Sequence, residues 1–236
     1  LRYQKFSTIS RSLFALPDCF LAHAQADAVR FEALGAKKVM VTGSIKFDIR
    51  IDQPLRQQAE QLKARWSQQG RRPIIVAAST HAGEDEMLLT AFQAARQHCP
   101  ELLLILVPRH PERFDTVAQL CEGFEYKRRA DGTEPDATTE IYLADTMGEM
   151  MLLLGCGDIA FVGGSLIDRG GHNMLEPAAW GLAIVTGHSD YNFLAISELL
   201  QQRGGLVKVA HQAAWNPQLH QWLNQPQQRR APRQAA

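Results

Sequence analysis

The stretch IIVAASTHAGE, residues 74–84, carries the pattern on which the fold depends. Its first five residues are apolar without interruption, which is typical of a parallel strand buried on both faces. A short polar turn follows. An amphipathic helix is then predicted over residues 84–98, with Leu88, Phe92 and Ala95 on one face and acidic residues in its first turn. A buried strand, a short turn and a helix form the repeating unit of α/β domains.

The same alternation continues on both sides of this stretch. Further strands are predicted at residues 19–22, 38–42, 102–107, 141–143, 159–162, 182–185 and 206–209. Further helices are predicted at residues 27–34, 55–69, 111–121 and 146–155, the last opened by a capping box between Thr146 and Glu149. This order predicts an α/β fold with a doubly wound, Rossmann-like parallel sheet and right-handed crossovers.

The alternation divides the chain into two parts. Residues 1–43 supply a single βαβ unit, which is too small to stand alone, and residues 44–54 form a connector. We therefore expect residues 1–43 to be the remnant of one domain and residues 44–236 to be a second domain. Because the sequence starts at Leu1 in a polar, helix-like stretch, we expect it to be a piece of a larger protein.

The composition excludes several classes of protein. Lys and Arg total 25 and Asp and Glu total 25, so no nucleic-acid partner is expected. The longest apolar run, residues 102–107, is far shorter than the roughly 20 residues of a membrane span. The four cysteines form no CxxC pair, which indicates reduced thiols in a cytoplasmic compartment rather than a disulfide framework.

Polar and glycine-rich segments follow the predicted strands, at the edge where ligands bind in open α/β sheets. The candidate ligand-binding residues in these segments are Ser79, Thr80, His81, Arg109, His110, Met147, Gly148, Gly171, His172, Asn173 and Glu176. Some have simpler readings, because Ser79 and Thr80 also suit a helix cap and His81 also suits the surface. Arg109 lies between two prolines and is favoured as a ligand anchor. In the segment at residues 145–149, the backbone N–H groups of Met147 and Gly148 are better ligand-binding candidates than the Glu149 side chain.

Residues 170–176, GGHNMLE, form the sharpest local signal. Paired glycines allow a backbone to approach a ligand closely, and the N–H groups of the helix that follows suit a phosphate. Glu176 is expected about one turn into that helix, where its carboxylate can accept hydrogen bonds from ribose hydroxyls. The alternative is that Glu176 only complements the helix dipole.

Other nucleotide and metal motifs are not found. No GxGxxG follows a strand and no GxxxxGK[ST] occurs, so the motifs typical of dinucleotide binding and of P-loop nucleotide binding are both missing. His81, His110, His172 and His188 lie in the predicted rim loops without HxH or HxxxH spacing, and a metal site is therefore not favoured.

Six segments together resemble the Kdo transferases, which transfer 3-deoxy-D-manno-octulosonic acid (Kdo). They are GSIKFD at 43–48, ASTHAGE at 78–84, LVPRHPERF at 106–114, DTMGE at 145–149, FVGGS at 161–165 and GGHNMLEPA at 170–178. The resemblance implies a GT-B architecture and a donor, CMP-Kdo, bound by the C-terminal domain without a metal cofactor. It also implies a lipid A precursor as acceptor and a contact to the donor or between the domains for Lys46.

In this family the catalytic base, a glutamate, and a membrane anchor belong to the N-terminal domain, and no counterpart of either is found in this sequence. We therefore expect this chain alone to be soluble, to bind the donor and to be inactive. The longer protein would act at the cytoplasmic face of the inner membrane. Two alternatives remain open: a UDP-sugar-binding GT-B enzyme, either a transferase or an epimerase, and a non-catalytic nucleotide-binding module.

Overall fold

The computed structural model describes residues 7–22, 25–43, 48–210, 219 and 221–223. The chain divides into two compact units, residues 1–49 and residues 50–236. Lys46 lies outside the described residues. Within the described ranges, no helix combines the length and the apolar character that a membrane span requires.

The first unit is one βαβ unit preceded by a helix. Its elements are α1 (Ser7–Phe14), β1 (Phe20–Ala22), α2 (Gln25–Ala33) and β2 (Val39–Val41), and the two strands pair in parallel. An aromatic cluster packs these elements together. The ring of Phe20 lies 5.4 Å from that of Phe14 and 5.0 Å from that of Phe31, between centroids.

The second unit contains a seven-stranded sheet in which every pair of neighbouring strands is parallel. The strands are β3 (Ile74–Thr80), β4 (Leu103–Pro108), β5 (Tyr126–Arg128), β6 (Ile141–Leu143), β7 (Ile159–Val162), β8 (Ala183–Thr186) and β9 (Leu206–Lys208). The helices are α3 (Gln53–Trp66), α4 (Glu84–Arg96), α5 (Phe114–Leu120), α6 (Met150–Cys156), α7 (Leu175–Ala179) and α8 (Leu194–Gln202). The predicted doubly wound parallel sheet is confirmed.

The strand order places a switch point beside the central strand. The order is β5-β6-β4-β3-β7-β8-β9, so β4, β5 and β6 lie on one side of β3, with β6 between β4 and the edge strand β5, and β7, β8 and β9 follow in order on the other side. Ligands of doubly wound sheets bind beyond the carboxyl ends of the strands at such a point.

Alternate residues of the sheet enter two separate core layers. Ile75 and Ala77 of β3 pack with α4 and α5, in a layer that also contains Cys121. Ile74 and Val76 point to the opposite face and pack with α3 and α6, in a layer that contains Cys156. The period of two along a strand explains why its sequence reads as a continuous apolar run. All four cysteines are free.

The capping box predicted between Thr146 and Glu149 is wrong. Helix α6 begins at Met150, and Glu149 makes no side-chain hydrogen bond to the helix backbone. Two features displace the start of the helix. Gly148 adopts a left-handed φ of 84°, which ends any helix begun at Thr146, and the Glu149 carboxylate is engaged by Arg129. The edge strand β5 and helix α8 were also not predicted.

Candidate functional site

A cavity of about 290 Å³ opens at the carboxyl edge of the seven-stranded sheet. It is lined by residues at the ends of β3, β4 and β7, in the turn before α6, and in the segment leading into α7. The structure brings seven of the candidate residues to this cavity: Ser79, Arg109, Met147, Gly148, His172, Asn173 and Glu176.

Four candidate residues do not line the cavity. Thr80 is fully buried and its hydroxyl donates to Asp85 at 2.6 Å. His81 stacks on the cavity residue His172, with its ring centroid 5.0 Å away, and His110 contacts His81 edge to face. Gly171 is buried and does not line the cavity.

The sequence analysis did not single out the apolar part of the wall. This part is contributed by Val107, Pro108, Met150, Leu154, Val162, Pro177 and Phe193. Most of these residues end a strand or belong to a helix, and their apolar character gives no signal that separates them from the core. Phe193 lies just before α8, in the predicted loop after the fifth strand of this unit, which gave the only sequence hint for it.

Ser79 holds an unusual backbone conformation at the centre of the site. Its φ of 58° lies in the left-handed region, and the register between β3 and β4 shifts between Ala78 and Thr80. Such a conformation is unfavourable for a residue with a side chain, and it persists only where the surrounding structure fixes it. The bulge turns Ser79 out of the strand and into the lining of the cavity.

Buried Glu84 fixes the loops behind the cavity. Its carboxylate, which is fully buried, accepts hydrogen bonds from the backbone N–H groups of His81, Gly164, Ser165 and Leu166 at 2.7–3.1 Å. The turn after β3 is thereby joined to the turn after β7. A carboxylate with four N–H donors is a strongly stabilised buried charge.

The turn at residues 146–148 lines the cavity. Neither Met147 nor Gly148 donates its N–H to an acceptor in the described part of the chain. Backbone N–H groups need a partner, so a wall of this kind suits a ligand with acceptor oxygens. Arg109 is exposed at the rim, and no carboxylate of the described residues pairs with it.

Asn173 orients Glu176 at the opposite wall. The Asn173 side-chain amide donates to Glu176 Oε1 at 3.1 Å, and its oxygen accepts from Leu175 N at 3.1 Å. Glu176 is the second residue of the short helix α7. Glu176 itself lines the cavity.

The glycines of this segment allow a close approach to a neighbouring loop. A Cβ on Gly170 would lie 2.5 Å from the ring of Tyr191, and one on Gly171 would lie 3.2 Å from the Ser189 carbonyl oxygen. Both also have left-handed φ values, 80° and 73°. The glycines therefore let the segment pack against residues 189–192.

The pKa values of His81 and of the cavity residue His172 are both lowered. Burial is the main cause that lowers the pKa of His81 from 6.5 to about 4, and His172, His110, Arg169 and Arg113 lower it further. Burial, Arg109 and His110 also lower the pKa of His172. Among the described residues, no three His, Cys, Asp or Glu side chains are grouped to hold a metal ion.

A doubly wound parallel sheet with a polar cavity at its carboxyl edge defines the class of Rossmann-like α/β domains, which bind their ligands at that edge. Comparison with solved structures identifies the family. The chain is 33% identical to the C-terminal CMP-Kdo binding domain of WaaA from Acinetobacter baumannii, with a TM-score of 0.72 over 78% of this chain and 97% of that chain. The chain therefore belongs to the Kdo transferase family, and its fold is of the GT-B type.

Sequence comparisons agree with this assignment. A family profile described as 3-deoxy-D-manno-octulosonic-acid transferase (kdotransferase) matches residues 1–49. The 3-deoxy-D-manno-octulosonic acid transferase of Haemophilus influenzae is 41% identical over 212 residues, or 88% of this chain and 49% of that protein. The transferase of the same name from Bordetella pertussis is 37% identical over 191 residues, or 78% and 43%. The chain spans about half the length of the curated relatives it matches.

A more distant likeness concerns the fold alone. The putative UDP-N-acetylglucosamine 2-epimerase from Listeria monocytogenes is 13% identical, with a TM-score of 0.56 over 94% of this chain and 55% of that chain. Proteins with different nucleotide-sugar chemistries share this architecture, so the site and not the fold decides the function.

Proposed function

We propose that the chain binds CMP-Kdo in the cavity at the carboxyl edge of its seven-stranded sheet. In the longer protein it would supply the donor half of a glycosyltransferase that transfers Kdo to a lipid A precursor in lipopolysaccharide biosynthesis. One observation carries the proposal: a single cavity brings together Arg109, the unpaired N–H groups of Met147 and Gly148, and the Asn173–Glu176 pair.

Each of these groups matches one part of a cytidine monophosphate. Arg109 and the free N–H groups supply the positive charge and the donors that a single phosphate needs, without a metal ion. The Glu176 carboxylate is an acceptor for ribose hydroxyls. The apolar wall, including Pro177 and Phe193, gives a pyrimidine ring a surface to pack against.

The division of the chain supports the assignment of its two parts. We propose that residues 1–43 end the acceptor domain and that residues 44–236 form the donor domain. Support comes from the family profile, which matches residues 1–49, and from the compact units at 1–49 and 50–236. Lys46 is proposed as a contact to the donor or between the domains.

The chemistry of transfer is assigned to the longer protein. There a carboxylate of the acceptor domain would act as the base that activates the acceptor hydroxyl, and CMP would leave from the anomeric carbon. The cavity residues of this chain would hold the phosphate of the leaving group. Because the proposed acceptor is a lipid, we also propose that the longer protein acts at the cytoplasmic face of the inner membrane.

Calorimetric titration with CMP, UMP, UDP and NAD tests the donor assignment. We expect CMP to bind more tightly than the other three, with the same affinity in the presence of a chelator. Arg109→Ala should weaken CMP binding by about 1–3 kcal/mol, because a charged hydrogen bond to the phosphate is lost. Absence of CMP binding by the folded chain at millimolar concentration would refute the assignment. Equal binding of UMP and CMP would favour a UDP-sugar enzyme of the same fold.

The transferase assignment has its own assay. The full-length protein should release CMP and extend a lipid A precursor when it is given CMP-Kdo. Arg109→Ala in that protein should slow the transfer. Donor binding without any transfer by the full-length protein would instead favour a non-catalytic nucleotide-binding module.

A further inference from the structure

The turn that offers free N–H groups to the cavity is held at both of its ends by carboxylates. Asp145 precedes the turn and Glu149 follows it. Between them, Met147 is 59% exposed, and a Cβ on Gly148 would have no neighbour within 4 Å. Packing of the Met147 side chain therefore does little to hold the turn in place, and Gly148 has no side chain that could do so.

Consecutive arginines hold the two carboxylates. The Asp145 side chain, which is fully buried, accepts from Arg128 Nε at 2.6 Å and from Ala130 N at 2.8 Å. Glu149 accepts from Arg129 Nε at 2.7 Å and from a terminal nitrogen of the same guanidinium at 2.5 Å. The second contact is a two-point fork, which fixes direction as well as distance.

Arg129 is itself anchored away from the cavity. It begins the short 3-10 turn after the edge strand β5, and its third nitrogen donates to the hydroxyl of Tyr142 at 3.2 Å. That hydroxyl donates in turn to the Thr133 carbonyl at 2.8 Å, and Tyr142 is fully buried in β6. Arg129 does not line the cavity, and Glu149 is its link to the turn that does.

Glu149 transmits this anchoring to the turn. Its carboxylate also accepts a hydrogen bond from the hydroxyl of Thr146, which is the first residue of the turn. The hydrogen bonds from Arg129 are the main cause that lowers the pKa of Glu149. One ionised side chain thus connects both ends of the three-residue turn to the sheet.

We propose that Arg129 is a positioning residue for nucleotide binding, and that it acts by holding Glu149 so that the N–H groups of Met147 and Gly148 face the phosphate. The inference rests on the proposed function, because the ligand is the CMP moiety. A lysine at position 129 keeps the charge but cannot form the two-point fork. The fork, rather than the charge, is therefore the property to remove.

The test compares two Arg→Lys substitutions. Arg65 forms a similar fork with Glu134, at 3.1 and 2.7 Å, and neither residue lines the cavity. We expect Arg129→Lys to weaken CMP binding about tenfold, as for one lost charged hydrogen bond. Arg65→Lys should change it by less than about twofold, because an exposed pair contributes little. Calorimetry gives the affinities, and thermal unfolding gives the stability of each variant.

Amide resonances distinguish a positioning role of Arg129 from a general effect on stability. In Arg129→Lys we expect shifts and faster hydrogen exchange at Met147 and Gly148, with the rest of the sheet unchanged. Glu149→Gln should reproduce the loss of affinity, and the double variant should be no weaker than either single variant. Glu149→Gln also serves if Arg129→Lys folds poorly.

The outcomes separate the inference from the proposed function. If the unsubstituted chain does not bind CMP, the proposed function fails and the inference fails with it. If the unsubstituted chain binds CMP and both Arg129→Lys and Glu149→Gln bind it equally well, the inference alone is wrong. Equal losses in Arg129→Lys and Arg65→Lys would also overturn it, because the effect would then follow general stability.

Discussion

A Cβ on Gly163 would lie 2.8 Å from the carbonyl carbon of Ser79, and closer still to its oxygen. Gly163 is not in the left-handed region, so the lack of a side chain serves this close approach and not a backbone twist. Ser79 itself has a φ of 58°. The strained residue that lines the cavity is thus pressed directly against the backbone that follows β7.

Gly163→Ala should therefore affect both stability and binding. Overlap with a main-chain carbonyl cannot be relieved by a rotamer change, so we expect unfolding to become easier by about 1–3 kcal/mol or more. Ser79 should shift within the cavity wall, and CMP affinity should fall. Urea denaturation and calorimetric titration measure the two effects.

Gly123→Ala is the matched control for that substitution. Gly123 has no atom within 4 Å of the site of an added Cβ, and its φ is not left-handed. We expect a change of roughly 0–1 kcal/mol, in the stabilising direction because the unfolded chain loses freedom. Equal effects of the two substitutions would show that the contact with Ser79 is unimportant.

Glu176→Gln should reduce nucleotide affinity. Replacing the carboxylate weakens its hydrogen bonds to the ribose, and the expected loss is about 1–3 kcal/mol. CMP and UMP share the ribose, so both should lose the same amount. Glu60→Gln, an exposed substitution on α3, is the control. If calorimetry finds CMP affinity unchanged in Glu176→Gln, the carboxylate does not contact the sugar.

Glu84→Gln should destabilise the second unit severely. The amide keeps one oxygen for two of the four N–H donors and turns its own NH₂ group toward the other two. Two buried N–H groups left without an acceptor cost about 2–6 kcal/mol. Glu86→Gln, an exposed change in the same helical turn, should cost less than about 0.5 kcal/mol. Comparable urea midpoints for the two variants would contradict this expectation.

Acidification should weaken the fold through His81. Burial lowers the pKa of this side chain from 6.5 to about 4, so the unfolded chain binds its proton first. The contribution of His81 is complete above about pH 6.5 and is lost as the pH falls toward 4. Urea midpoints should fall less with pH in His81→Gln than in the unsubstituted chain. The exposed His188→Gln should retain the original dependence, and identical slopes in all three proteins would refute the argument.

The sequence predicted the strands that are buried on both faces, because their apolar runs are continuous. It did not predict β5, with the sequence YKR, since an edge strand pairs on one side only and needs no such run. It also misplaced the start of α6. Local pattern assigned Glu149 to a capping box, whereas a partner 20 positions earlier, Arg129, takes its carboxylate.

The sequence predicted those site residues that lie just after the carboxyl ends of the strands. Arg109, Asn173 and Glu176 come to one cavity because parallel strands end at one edge. The left-handed backbone of Ser79 was not predictable, because it depends on how the turn after β7 meets β3. Phe193 was not singled out either, since its place in the cavity wall is set by packing and not by a motif.

Each of the two core layers contains a cysteine whose modification rate reports on the opening of that layer. Cys121 lies in one layer and Cys156 in the other, and burial raises the pKa of each thiol to about 12. Alkylating reagents attack the thiolate, so neither sulfur reacts until its own side of the sheet opens. If the two core layers unfold separately, Cys121 and Cys156 should be modified at different rates. If both layers unfold together, the two rates should be equal.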